Sequence, residues 1–228
     1  MSGAVQGKRV VVTCADRFMG PATCELFAEQ GAEVVADLRD LRPPAACDEL
    51  IDTHGCPDVL IVNLGAPSSP NTPVEDLDDD TWAEKFEVMV HPLFRLARAV
   101  LPTMKQRRAG KIVVYGSATG LRSMAKVSAY SAARAAQVGF VKAAGLEAAP
   151  HNVQINLIAQ NYVENSEYYP PELVASERFQ RHLARNVPAG RLATGREDAE
   201  LALFLASDKS DFIVGQAIPF SGGWTLQG

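Results

Sequence analysis

Three residues in the middle of the chain have types and a spacing suited to proton transfer. Tyr130 and Arg134 stand four apart in a helical pattern, so they share one helix face about one turn apart. A guanidinium beside a phenol favours the phenolate and lowers the tyrosine pKa from its ordinary value of about 10. Such a tyrosine is a candidate general base near neutral pH. Ser117 follows the apolar run Lys111–Gly116, where its hydroxyl can enter the same crevice and hydrogen-bond a substrate oxygen. Singly, each feature is commonplace: a Tyr and an Arg four apart usually meet on a surface, and a Ser after a strand is usually turn chemistry. The combination Ser117-x12-Tyr130-x3-Arg134 on strand, loop and helix is far more specific.

The pattern of the chain says what must position these three. Continuous apolar runs at Lys8–Thr13, Ala32–Asp37, Asp58–Asn63, Lys111–Gly116, Val153–Ile158 and Gln216–Phe220 read as buried strands. Between them lie helical patterns over Pro21–Gln30, Thr81–Arg107, Val127–Ala149 and Arg196–Ala206, the first ended by Gly31. Strands of this kind alternating with helices predict an α/β fold, a doubly wound, Rossmann-like parallel sheet covered on both faces. One domain over residues 1–228 is expected, with the Pro/Ser/Asn-rich stretch Gly65–Pro73 as a simple connection. Ligands in such sheets bind beyond the carboxyl ends of the strands. That directs attention to Thr13–Gly20, Asp37–Asp40, Asn63–Ala66, Ser117–Gly120 and Ala159–Val163.

Composition removes several function classes. With 22 Lys and Arg against 27 Asp and Glu, the net charge of −5 argues against a nucleic-acid or anionic-membrane surface. Cys14, Cys24, Cys47 and Cys56 form no Cys-x-x-Cys pair, and no His stands at metal-ligand spacing from them, so no metal site is expected. The first residues lack the apolar core of a secretory signal, and no apolar run reaches membrane-span length, so a cytoplasmic protein with reduced thiols is expected.

At this point the chain resembles the short-chain dehydrogenase/reductase superfamily along nearly its whole length, through the turn at Asn63, the Ser117–Tyr130 pair and the closing Phe220-Ser-Gly-Gly-Trp224. The reductases carry Lys where this chain has Arg134. Ser-x12-Tyr-x3-Arg is instead similar to the related halohydrin dehalogenases. The first strand–helix turn points the same way. A dinucleotide loop needs small glycines, in the reductases Thr-Gly-x3-Gly-x-Gly, so that the backbone can approach pyrophosphate. Here it reads Thr13-Cys14-Ala15-Asp16-Arg17-Phe18-Met19-Gly20, with only the last glycine kept, a bulky Phe18 and an acidic Asp16. Thr13, Phe18 and Gly20 match the dehalogenase pattern Thr-x4-Phe/Tyr-x-Gly. Met89 stands in place of the reductases' proton-relay Asn, and Ala159-Gln160-Asn161-Tyr162-Val163 replaces their Pro-Gly. The short spacing from Asp37 to the next strand leaves no room for a further strand and helix. Asp37 itself points the other way, since an NAD enzyme binds the adenine ribose at such a position.

The resemblance implies a cofactor-independent enzyme with Ser117, Tyr130 and Arg134 as its triad. It implies a halide and substrate pocket from Phe18, Gln160, Asn161, Tyr162 and Val163, many members having Pro where this chain has Gln160. Of Tyr168 and Tyr169, Tyr169 is the better candidate to close that pocket. The implied partners are a vicinal haloalcohol or epoxide and a halide ion, and the implied assembly is a homotetramer packed through its two long helices. Two other readings stay open: an NAD(P)-dependent reductase with an altered loop, and a catalytically silent binding protein on the same scaffold.

Overall fold

The computed structural model describes residues 3–66 and 72–226. Part of the Gly65–Pro73 connection therefore lies outside the described residues. Six strands form one parallel sheet: β1 (Arg9–Thr13), β2 (Glu33–Asp37), β3 (Val59–Asn63), β4 (Gly110–Tyr115), β5 (Val153–Gln160) and β6 (Ala217–Phe220). Their order is β2-β1-β3-β4-β5-β6. The chain winds outward from β1 to β2, then crosses back to β3, so a crevice opens above the β1/β3 boundary.

Every residue of β3 and β4 is buried, as the unbroken apolar runs require. One sheet face carries Val11, Leu60, Val62, Ile112, Val114, Ile155 and Leu157. It packs against α2 (Ala46–His54), α4 (His91–Arg107) and α5 (Ser128–Ala148) through Leu50, Leu93, Leu96, Val100 and Val141. The other face carries Val10, Val12, Ile61, Val113 and Tyr115. It packs against α1 (Gly20–Glu29) and α8 (Gly195–Ala206) through Leu26, Phe27, Ala199 and Leu203. Each such aliphatic side chain contributes roughly 1.5–3 kcal/mol by leaving water.

Three expectations need correction. The helix expected over Thr81–Arg107 is two, α3 (Asp79–Met89) and α4, divided at Val90. Pro92 has no N–H to donate back and its ring crowds the carbonyl four residues earlier, so a new helix starts with Pro92 in its first turn. The connection from β2 to β3 holds a helix, α2, and lacks only the strand. Beyond β5 lie α6 (Pro171–Val174) and α7 (Glu177–Asn186), which the strand and helix pattern above omits. The signal for α7 was present: Ser176 accepts from the Phe179 N–H, and Phe179 and Leu183 form its buried stripe.

Helix α5 lies close to the sheet because a glycine permits it. A Cβ on Gly145 would fall 2.7 Å from the Gly215 Cα, a backbone atom that cannot swing aside. Gly145→Ala should therefore lower unfolding stability by about 1–3 kcal/mol, measured in urea, as overpacked cores do. No helix among the described residues is long and apolar enough to cross a membrane.

Candidate active site

The carboxyl ends of β4 and β5 and the first turns of α5 enclose a cavity of about 200 Å³. It is lined by Ser117, Tyr130 and Arg134, by Gln160, Asn161, Tyr162 and Val163, and by Tyr168 and Tyr169, among others. The structure thus brings together every candidate named above except Phe18. Ser117 leaves β4 in an extended conformation and caps a short turn over Ala118–Gly120. Its Oγ accepts from the Thr119 N–H at 3.2 Å and lies 2.9 Å from Thr119 Oγ1. Turn chemistry and access to the cavity coexist in this one hydroxyl.

Tyr130 and Arg134 project from one face of α5, with the Arg134 Cζ 5.1 Å from the Tyr130 ring centroid. Both are buried. Burial by itself pushes the Tyr130 phenol up. The positive charge of Arg134 leads the effects that together outweigh burial, and the phenol titrates below its ordinary value. Arg134 belongs to none of the ion pairs among the described residues. A buried cation without a carboxylate is held by nearby dipoles and by whatever anion forms beside it.

The loop after β5 forms the opposite wall. Asn161 Oδ1 accepts from the Tyr162 N–H at 3.0 Å and from the Tyr169 hydroxyl at 3.2 Å. These two donors fix the amide, and Asn161 Nδ2 is left buried with no partner. An unpartnered amide N–H in a cavity wall suits an anion or another acceptor. Gln160 Oε1 is also unpartnered, and that oxygen suits a donor. Tyr162 adopts a left-handed φ of 57° and reaches His182 Nε2 with its hydroxyl at 2.9 Å, which ties the loop to α7. Burial pushes the Tyr169 phenol up, and Tyr169 stacks on Tyr162 with centroids 6.2 Å apart.

Phe18 stands behind the cavity rather than in its lining, a correction to its place in the pocket. It stacks on Tyr168 with centroids 5.5 Å apart, and it covers Gly65, where a Cβ would fall 2.5 Å from the ring. Tyr168 lines the cavity together with Tyr169. Its hydroxyl donates to the Ala66 carbonyl at 2.6 Å, and burial pushes its pKa up. The sequence held no signal that separates these adjacent tyrosines.

The fold implies a dinucleotide, and the first turn is where its phosphates would sit. Cys14 and Phe18 keep left-handed φ values of 45° and 50°, the geometry that glycines adopt without cost. Asn63 Nδ2 donates to the carbonyls of Cys14 and Arg17, each at 2.9 Å. The Phe18 N–H, a donor available to a phosphate, is taken at 3.2 Å by Glu167 Oε1, and Glu167 also pairs with Arg17. A second cavity of about 350 Å³ lies above β1, β2 and β3, lined by Asp16, Arg17, Arg39, Arg42, Gly65 and Ala66, among others. A dinucleotide would have to span both cavities, and the Phe18–Tyr168 stack seated on Gly65 and Ala66 stands between them. These residues do not fit a bound dinucleotide.

Comparisons with known proteins give two kinds of relative. The family model for enoyl-(acyl carrier protein) reductase matches residues 4–225. A 3-oxoacyl-(acyl-carrier-protein) reductase of Vibrio cholerae is 30% identical over 244 residues, covering 96% of this chain and 98% of the relative. A solved structure described as a dehalogenation enzyme superposes with a TM-score of 0.88 at 29% identity, covering 97% of this chain and 100% of that one. A halohydrin dehalogenase bound to ethyl (2S)-oxiran-2-ylacetate superposes with a TM-score of 0.85 at 25% identity, covering 96% and 98%.

Proposed function

The chain belongs to the enoyl-(acyl carrier protein) reductase family of the short-chain dehydrogenase/reductase superfamily, and from that premise we propose that it has exchanged reduction for cofactor-independent dehalogenation of vicinal haloalcohols. The observation that carries this reading is the composition of one cavity. It holds a phenol made acidic by a buried guanidinium, and an unpartnered Asn161 amide donor in its wall. Tyr168, which lines this cavity, stacks on Phe18, which covers Gly65 in the wall of the second.

In this mechanism the substrate hydroxyl lies between Ser117 and Tyr130. The Tyr130 phenolate, stabilised by Arg134, takes the hydroxyl proton. The alkoxide oxygen attacks the adjacent carbon, a carbon–oxygen bond forms, and the carbon–halogen bond breaks with its electron pair leaving on halide. The products are an epoxide and, after the proton passes to water, acid. Holding nucleophile and electrophile in one molecule gives much of the rate. Asn161 Nδ2 receives the developing halide charge in a site shielded by Tyr162, Tyr168 and Tyr169. The reverse reaction opens epoxides with small anions.

A reductase is the second reading, supported by the 30% identical Vibrio cholerae enzyme. It is also supported by Asp37, a buried carboxylate whose Oδ2 has no partner beside the second cavity. One experiment separates the two. Purified protein incubated with 1,3-dichloro-2-propanol and no nucleotide should release chloride and acid in equal amounts. Turnover of a 3-oxoacyl substrate that requires NADPH, with no halide release, would overturn the dehalogenase reading.

A further inference from the structure

Arg134 is 2% exposed, and a guanidinium so deep must be gripped by oriented dipoles. Its Nη1 donates to the Tyr115 carbonyl at 3.2 Å and to Gln137 Oε1 at 3.0 Å. Gln137 is itself fully buried and lies three residues on along the same face of α5. Its amide can point only one way. Gln137 Nε2 donates to the Met89 carbonyl at 2.8 Å, and a carbonyl accepts only from the nitrogen end. Met89 ends α3, just before the helix break at Val90. The α3/α4 break thus supplies the acceptor that orients Gln137, and Gln137 in turn offers its oxygen to Arg134.

We propose that Gln137 is a positioning residue for this site: it grips Arg134 with a neutral oxygen, so that the guanidinium charge is left to stabilise the Tyr130 phenolate. The inference rests on Tyr130 acting as the base. An ionised glutamate at the same place would still accept from Arg134, though it would lose the bond to the Met89 carbonyl; its charge would oppose that of Arg134, and Tyr130 would lose its counter-charge. Few other charges reach the pair. Strands β5 and β6, packed on α5, carry no ionisable side chain, and Tyr115 of β4 offers its carbonyl while its hydroxyl meets Thr23. Helix α3 brings Lys85, paired with Glu84, and α4 brings His91, set against Glu87. The loop after β5 brings Tyr168.

The test has a readout that needs no substrate. Of the five tyrosines, Tyr115, Tyr162, Tyr168 and Tyr169 are shifted upward, chiefly by burial, and only Tyr130 downward. The first phenolate to appear in an ultraviolet pH titration is therefore that of Tyr130, assigned by its loss in Tyr130→Phe. In Gln137→Glu this midpoint should rise by about one pH unit or more, the usual effect of removing a nearby opposite charge. The rising limb of halide release against pH should move with it, while kcat on the alkaline plateau changes little. Gln137→Met, which keeps the volume and removes both hydrogen bonds, should lower kcat about tenfold with a smaller change in KM. An unmoved midpoint in folded Gln137→Glu would overturn the proposal. So would an equal loss of rate in both variants at every pH, which is what a purely structural role predicts. If Gln137→Glu does not fold, an unchanged kcat in Gln137→Met overturns it alone. A midpoint that moves in a protein releasing no halide would leave the positioning role standing and remove the dehalogenase reading instead.

Discussion

Tyr130→Phe should lower chloride release from 1,3-dichloro-2-propanol by about 10³-fold, within the range that general bases contribute. That is roughly 4 kcal/mol of transition-state stabilisation. The ring and its packing stay, and only the oxygen that takes the proton is lost. The direction of the pH dependence follows from the same group. In the proposed mechanism Tyr130 acts ionised, so the wild-type rate should rise with pH through the Tyr130 midpoint, which Arg134 places below the ordinary tyrosine range. The variant should have no such limb. Ser117→Ala would remove the one hydrogen bond proposed from this residue to the substrate oxygen and should cost less, about 10- to 100-fold. A Tyr130→Phe enzyme that keeps its rate, or keeps the rising limb, would assign the base elsewhere. Halide release, acid release and a stopped pH series measure all of this on one substrate.

The placement of these side chains was legible in the sequence to the extent that it is local. Tyr130 and Arg134 share a helix turn, and Ser117 ends a strand, so their meeting follows from element geometry alone. Gln137 was equally legible, three residues past Arg134 on the same face, although its partner at Met89 was not. The parallel sheet was legible for a similar reason: strands buried on both faces have to be apolar throughout, and β3 and β4 are. What stayed hidden depends on contacts between distant segments. Phe18 in the glycine turn suggested a filled cofactor site. That its ring rests on Gly65 and supports Tyr168, rather than lining the cavity, depends on three loops meeting. The Glu167 carboxylate at the Phe18 N–H joins positions 149 residues apart and left no mark in the local pattern. The split of the Thr81–Arg107 pattern was readable at Pro92, but an apolar period that runs through the break obscured it.

The second large effect concerns stability and lies on the far face of the sheet. Asp198 is fully buried in α8, near its N-terminus, and neither carboxylate oxygen has a partner. Desolvation pushes its pKa well above the ordinary 3.8, so the folded protein keeps this carboxyl protonated to higher pH than the unfolded chain does. The unfolded chain releases the proton at the ordinary value. From about pH 4 upward the native state therefore binds one more proton than the unfolded state, and stability falls by about 1.4 kcal/mol per pH unit until the folded pKa is reached. Asp198→Asn keeps the shape and cannot ionise, so it removes that slope. The variant should match the wild type near pH 4 and exceed it increasingly at higher pH. Each kcal/mol gained should appear as roughly 2–4 °C in Tm for a chain of this size. Glu197, next in the chain, has the opposite sign. Hydrogen bonding from Arg191 pulls it down to about 2, so its contribution is lost only as pH falls, and it is the same in both proteins. A pH series of thermal unfolding on the pair isolates Asp198 for that reason. An Asp198→Asn variant less stable than wild type by the same amount at pH 4 and pH 8 would mean that the native carboxylate is ionised and satisfied, and the burial argument would fail.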